Sequence, residues 1–247
     1  MYDAMLAETV TIRGEGGDEI EAYLARPMSP GPHGGVVVLH HMPGYDEQTK
    51  EITRNFAVHG YNAVMPNLYH REAPGAAPDD AAATARAQGG VPDTRLPGEV
   101  AGAAAYLRGL TTANGKVGVI GYCSGGRQTV LAAASLPLDA AVDCYGGLVT
   151  GTPPSGSIMS MFTPIKHLVK DISCPLLGLF GMDDAYPSPE HVAELEEELK
   201  AHGKTYEFHS YEGAGHGFFS VNRPSYRPEA ATDGWSHIFT WFGRYLS

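Results

Sequence analysis

The spacing of apolar and polar positions changes several times along the chain, and each change marks an element. Residues 8–13 (ETVTIR) alternate, and so do residues 20–27 (IEAYLARP) beyond the turn GEGGDE, so the chain is predicted to open with a hairpin. GVVVLH (35–40) behaves differently. It is a continuous, β-branched apolar run, the mark of a strand buried on both faces. YNAVMPN (61–67), KVGVIGY (116–122), LDAAVDCYG (138–146) and CPLLGLFG (174–181) read as further strands, and TYEFHSYE (205–212) alternates again. Helical spacing appears between them. Residues 47–59 carry Ile52, Phe56 and Val58 and stop at Gly60; residues 98–109, 124–135, 189–202 and 229–246 read the same way. Residues 70–92 read as a loop holding at most a short helix, and residues 146–166, rich in Gly, Pro, Ser and Thr, as irregular chain.

After the hairpin, strands and helices alternate. That order predicts a mostly parallel central sheet with helices on both faces, built as one α/β domain over residues 1–247 with no separate cap domain. In such a sheet ligands bind beyond the carboxyl ends of the strands, so the residues just after each strand run are the ones to inspect.

Composition narrows the partners. The formal net charge is −11, and no run of Lys and Arg interrupts it, which disfavours nucleic acid and anionic membrane. Three cysteines, Cys123, Cys144 and Cys174, make no disulfide framework and suit a reducing compartment. No apolar stretch is long enough to span a bilayer, and the acidic start lacks the marks of a signal peptide. A cytoplasmic monomer or small homo-oligomer acting on a small molecule is expected.

The sharpest chemical signal is Gly121-Tyr122-Cys123-Ser124-Gly125-Gly126, between a strand and a helix. A G-x-nucleophile-x-G pattern in that setting is a nucleophile elbow. Centred on Cys123, both flanking positions are glycine. Centred on Ser124, one would be Tyr122, whose Cβ the turn has no room for. Cys123 is therefore the expected nucleophile. In this architecture the acid and then the histidine follow later strands. FGMDD (180–184) and GAGHGF (213–218) stand in those places, giving His216 as base. Position alone leaves Asp183 and Asp184 both open. The oxyanion hole is assigned to the amides of Ser124 and Met42, since Pro43 has no N–H. His40-His41 is a poor chelate because neighbours on an extended chain point apart. No zinc-type spacing or nucleotide motif is present, so neither a metal nor a cofactor is expected.

These residues resemble the dienelactone hydrolases, α/β-hydrolases with a cysteine nucleophile. MPNLYHREAPG (65–75), NGKVGVIGYCSGG (114–126), AAVDCYGG (140–147), FGMDD (180–184) and YEGAGHGF (211–218) carry the resemblance over nearly the whole length. It implies a Cys123/His216/Asp183 triad, with Asp183 favoured by the family's Gly-x-Asp spacing before Pro187, and hydrolysis of an ester or lactone through an acyl-thioester. Two departures stand out. Where the family's type member has a glutamate that helps generate the thiolate, this chain has His41, expected instead to modulate the nucleophile. The type member holds its substrate carboxylate with two arginines. One corresponds to Arg86; the other's position is Ser220, with Arg223 close enough to substitute. Arg86, Tyr145 and Arg223 are the candidate substrate contacts. Ile158, Met159, Met161 and Phe162 belong to a long loop expected to overhang the elbow. The rival expectations are a broad carboxylesterase with promiscuous phosphotriesterase action, a non-catalytic ligand-binding protein on a hydrolase scaffold, and a thiol redox sensor.

Overall fold

A computed structural model describes residues 4–153, 156, 160 and 162–247. Strands β1 (Met5–Arg13) and β2 (Glu19–Pro27) form the expected hairpin around a 3-10 turn at Glu15–Gly17. Then come β3 (His33–Leu39), α1 (Glu47–Val58), β4 (Asn62–Pro66), α2 (Pro78–Ala87), α3 (Leu96–Arg108), β5 (Ala113–Tyr122), α4 (Ser124–Ser135) and β6 (Ala140–Cys144). The chain continues through a 3-10 segment (Lys166–Asp171), β7 (Leu176–Gly181), α5 (Pro189–Ala201), β8 (Tyr206–Tyr211) and α6 (Pro228–Leu246). Where a loop with at most a short helix was expected over 70–92, α2 fills ten residues, started by Pro78 and supported by acidic Asp79 and Asp80 in its first turn.

The strands form one sheet in the order β1-β2-β4-β3-β5-β6-β7-β8. β1, β2 and β4 pair antiparallel; from β4 to β8 every neighbour is parallel. This is an α/β-hydrolase fold. Continuous apolar strands are required because both sheet faces are covered. On β3, Val37 and Leu39 face one core, while Val36 and Val38 face the other. On β7, Leu176 and Phe180 face the first and Leu177 and Leu179 the second. α2, α3, α4 and α5 cover the first face. α1 and α6 cover the second, where Phe56 meets Trp235, Phe239 and Phe242 ring edge to ring face. Among the described residues no helix is long and apolar enough to cross a membrane.

Candidate active site

The turn from β5 into α4 is set by close backbone contacts. A Cβ on Gly121 would lie 1.9 Å from the Gly125 carbonyl oxygen, and one on Gly125 would lie 2.3 Å from that of Leu39. Only glycine fits at either place. The chain between them turns through Cys123 at φ 59, ψ −119, a region that costs a non-glycine residue about 1–3 kcal/mol. The distortion lifts the thiol off the sheet at the first turn of α4.

His216 follows β8 in a loop pinned to the end of β7. A Cβ on Gly181 would lie 2.3 Å from the Ala214 carbonyl oxygen, and Asp183 N–H donates to that same oxygen at 2.9 Å. This closeness delivers the imidazole between a carboxylate and the thiol. Its Nδ1 lies 2.8 Å from Asp184 Oδ2, and the ring is close enough to the Cys123 thiol for each to shift the other's pKa. The second oxygen of Asp184 accepts from Tyr186 N–H at 2.8 Å, which fixes the carboxylate's orientation. Here the structure corrects the sequence reading. The partner of His216 is Asp184, 6% exposed, and not Asp183, whose side chain points to solvent. The pair is adjacent, so they leave the chain on opposite sides, and only the fold of the turn decides which one faces the histidine.

Met42 and Ser124 lie beside Cys123, and their backbone N–H groups favour its thiolate. The Met42 amide is aimed by His40. In a trans peptide the C=O and N–H point in opposite directions, so holding the His41 carbonyl fixes the Met42 N–H. That carbonyl accepts from His40 Nδ1 and from Gly44 N–H, both at 2.9 Å. His40 in turn accepts the Leu68 N–H at Nε2, 3.2 Å away, which settles its tautomer as Nδ1–H. Burial pulls its pKa down to about 4, so the ring is neutral at working pH. Tyr69 completes the brace by donating its hydroxyl to the Met42 carbonyl at 2.7 Å.

Burial pushes the Cys123 thiol up, yet its pKa falls below the ordinary value because His216 and the two amides favour the thiolate. Burial likewise opposes a charged His216, but Asp184 and Cys123 together raise its pKa to about 10. The two groups thus favour each other's charged forms, the thiolate on Cys123 and the imidazolium on His216.

Other expectations are redirected. His41 turns away to Asp46, its Nε2 lying 2.6 Å from Oδ2. Asp46 also caps α1 by accepting from Thr49 N–H. Although burial works against it, these bonds hold the Asp46 carboxyl at about 2. His41 is thus the partner of a helix cap, and His216 with the two amides sets the thiol. Tyr145 is no pocket residue either. It is buried, its ring meets the His216 ring edge to face with centroids 5.2 Å apart, and its hydroxyl lies close to Ser220. It buttresses the histidine from behind. Arg223 is exposed and lies outside the cavity lining.

A cavity of about 300 Å³ opens above Cys123. Val91, Leu148, Phe162, Ala185 and Tyr186 give it apolar walls. Phe162 is thus at the elbow as expected, while Ile158, Met159 and Met161 lie outside the described residues. Arg86 lines a narrow side pocket beside Met42, Ser124 and Tyr69, and among the described residues no carboxylate pairs with it. Sequence reading missed Arg127. It lines the main cavity, but Asp93 grips it with two bonds of 2.6 and 2.8 Å, and it donates to Thr163 O at 2.7 Å. Its place on the elbow helix was the available signal.

Two pairs of substitutions test this geometry. Asp184→Asn should lower turnover of a chromogenic ester on the order of 10³-fold, by leaving His216 without its charged partner. Asp183→Asn should stay within about twofold of wild type, as a surface change. His40→Leu should lower kcat about 10²-fold, the scale of one lost oxyanion donor, with KM little changed. His40→Asn places an amide N–H near the Nδ1 position and should recover most of that loss.

The residues and fold together can be set beside known proteins. The dienelactone hydrolase family matches residues 20–246. Several curated relatives carry the name "Putative carboxymethylenebutenolidase". The one from Escherichia coli K12 is 35% identical, covering 98% of this chain and 89% of its own. The one from Methylorubrum extorquens is 34% identical, covering 92% and 77%. A crystal structure titled "Putative Dienelactone Hydrolase" from Klebsiella pneumoniae superposes with a TM-score of 0.85 at 32% identity, covering 98% of this chain and all of the other. A dienelactone hydrolase-like promiscuous phosphotriesterase from metagenomic libraries shares the fold, with a TM-score of 0.77 at 21% identity, covering 99% and 100%. By sequence and by structure, this chain belongs to the dienelactone hydrolase family, hydrolases that act on ester and lactone bonds.

Proposed function

We propose that the protein hydrolyses a small ester or lactone through a Cys123 thiolate, with His216 as acid and base and Asp184 as its orienting carboxylate. The observation that carries this reading is the Asp184–His216 hydrogen bond set beside a thiol whose thiolate form His216 and the Met42 and Ser124 backbone N–H groups favour.

The thiolate attacks the carbonyl carbon, and the carbonyl electrons move onto oxygen. That oxyanion takes the hydrogen bonds that Met42 and Ser124 gave the sulfur. As the tetrahedral adduct collapses, the imidazolium gives its proton to the leaving alkoxide, and an acyl-thioester remains. In a lactone the alcohol stays tethered to the acyl group. Neutral His216 then takes a proton from water, whose oxygen attacks the thioester, and the thiolate leaves with its electron pair. Asp184 keeps Nδ1 protonated throughout and supports the positive charge each time it forms. No metal or cofactor enters any step.

The cavity suits a substrate with a compact apolar body. Arg86 gives it a place for one carboxylate, next to the oxyanion site. The second cation of the family's type member has no counterpart in the cavity lining, because Ser220 is buried against Tyr145 and Arg223 is outside. The reading is therefore an esterase that accepts a singly anionic substrate with help from Arg86. A carboxylesterase for neutral esters is the second reading, favoured by the apolar walls.

Cys123→Ala should abolish turnover of both ester classes. Arg86→Gln should raise KM for an acidic ester about tenfold, the scale of one charge-assisted bond, and leave the neutral ester unchanged. Equal KM values in both proteins and both classes would favour the second reading. The charge state of the thiol has its own signature. Alkylation of Cys123 by iodoacetamide should already be fast at neutral pH, because the thiolate persists below the ordinary thiol range. The sign follows from the partner. His216 stays protonated up to about pH 10, so acid abolishes the reactive form only on the lower side, by protonating the thiolate. His216→Ala leaves burial with less to oppose it and should move the alkylation midpoint upward. An unmoved midpoint would show that the amides alone set the thiol.

A further inference from the structure

Beyond the catalytic cavity, among the described residues, one cluster brings three metal-binding side chains together: Glu207 and His209 on β8 and His237 on α6. We propose that these three residues bind a divalent transition-metal ion of the zinc type and so tie the edge strand β8 to α6.

The backbone sets the donors up. Glu207 and His209 are two residues apart on a strand and share one of its faces. Phe208 and Tyr206 turn to the opposite core, while α6 covers the face where Glu207, His209 and Tyr211 stand. The donor atoms all lie within 4.8 Å of one another. Glu207 Oε1 is 2.8 Å from His209 Nε2 and 3.8 Å from His237 Nδ1. Tetrahedral ligands at metal distances of about 2.1 Å stand roughly 3.4 Å apart, so these gaps bracket what zinc needs.

A second observation points the same way. The other nitrogen of His237, Nε2, faces Asp233 Oδ2 at 3.3 Å, one turn earlier on α6. That oxygen also accepts the Tyr211 hydroxyl at 3.0 Å. A carboxylate behind a histidine is the arrangement that fixes a metal ligand's tautomer. Here it places the proton on Nε2 and leaves the Nδ1 lone pair facing Glu207.

An ordinary ion pair accounts for less. One protonated histidine beside Glu207 explains one short contact. It does not explain two imidazoles stacked 3.5 Å apart and turned to the same carboxylate oxygen, since two protonated rings would repel. The rings lie 25° from parallel, so one must turn about χ2 for both lone pairs to converge. That torsion is broad and soft. The side chains are 28–40% exposed, which leaves room for water as a fourth ligand. Two imidazoles and one carboxylate suit zinc, nickel or copper better than magnesium or calcium.

The probe is Co(II), titrated into the full chain after iodoacetamide has blocked the accessible thiol, and then displaced by ZnCl2. The expected result is a saturable one-to-one visible absorption band of tetrahedral type, a zinc-dependent rise in melting temperature, and unchanged ester turnover before the thiol is blocked. Glu207→Gln and His237→Ala should each weaken binding at least about tenfold, and Asp233→Asn about 10–100-fold as a partner behind the ligand. Glu207 is on the surface, so Glu207→Gln carries the test if His237→Ala fails to fold. No saturable binding, or binding that survives Glu207→Gln, overturns the proposal. Loss of ester hydrolysis in Cys123→Ala has no bearing on it, so the two readings fail separately.

Discussion

The site depends on one backbone constraint: the forced turn at Cys123. Its torsions are unfavourable for a residue with a side chain, and three glycines make room for it. Gly121 and Gly125 let β5 and α4 approach each other and the end of β3. Gly126 lets α4 pass beside Asp143, where a Cβ would lie 2.3 Å from Oδ1. The parallel sheet absorbs the strain because β5 is held between β3 and β6 along much of its length. A rigid sheet thus holds a thiol above its edge, at a helix N-terminus whose partial positive charge favours a thiolate.

Everything else around that sulfur is orientation. The Met42 N–H has no freedom because the carbonyl on its own peptide is tied to His40 and Gly44. Hydrogen bonds at one end of a peptide also polarise the other, so His40 makes Met42 a stronger donor as well as aiming it. On the opposite side Tyr145 supports the ring of His216, and Asp184 is itself fixed by Tyr186. The substrate would meet groups already in position. In the proposed reaction the amides that favour the thiolate are the ones that would receive the oxyanion.

The legible parts of this molecule were those governed by local pattern. Apolar runs between turn residues fixed the strands, because a strand with both faces covered needs them. The glycines around Cys123 marked the tight turn, because they answer a steric need within six residues. What escaped was decided by contacts between distant segments. Asp183 and Asp184 are chemically identical and adjacent, and only the docking of the 212–220 loop on β7 tells them apart. His41 was read against the thiol, but Asp46, five residues on, needed a partner while capping α1. Tyr145 was read as facing substrate, yet its chain reverses at φ 45 and buries the ring under His216. Arg127 looks like an ordinary helix charge until Asp93 and Thr163 close over it.

Arg127 also bears on how a chain with a net charge of −11 receives an anion. At long range such a protein repels an anionic ester, and local cations must offset the repulsion. The cavity wall holds two candidates of different standing. Arg127 is gripped by both oxygens of Asp93, so its charge is largely answered, and its remaining strong bond fastens the loop at Thr163. It shapes the wall that Phe162 completes. Among the described residues no carboxylate pairs with Arg86, and it sits beside Met42 and Ser124, so its field falls where, in the proposed reaction, a substrate carboxylate or a developing negative charge would lie. On the proposed reading, one answered cation that builds the wall and one without a described partner at its edge would let the site accept a single negative charge without depending on it. That is a different balance from two arginines clamping a carboxylate, and it follows from the burial of Ser220 against Tyr145 at the second arginine's position.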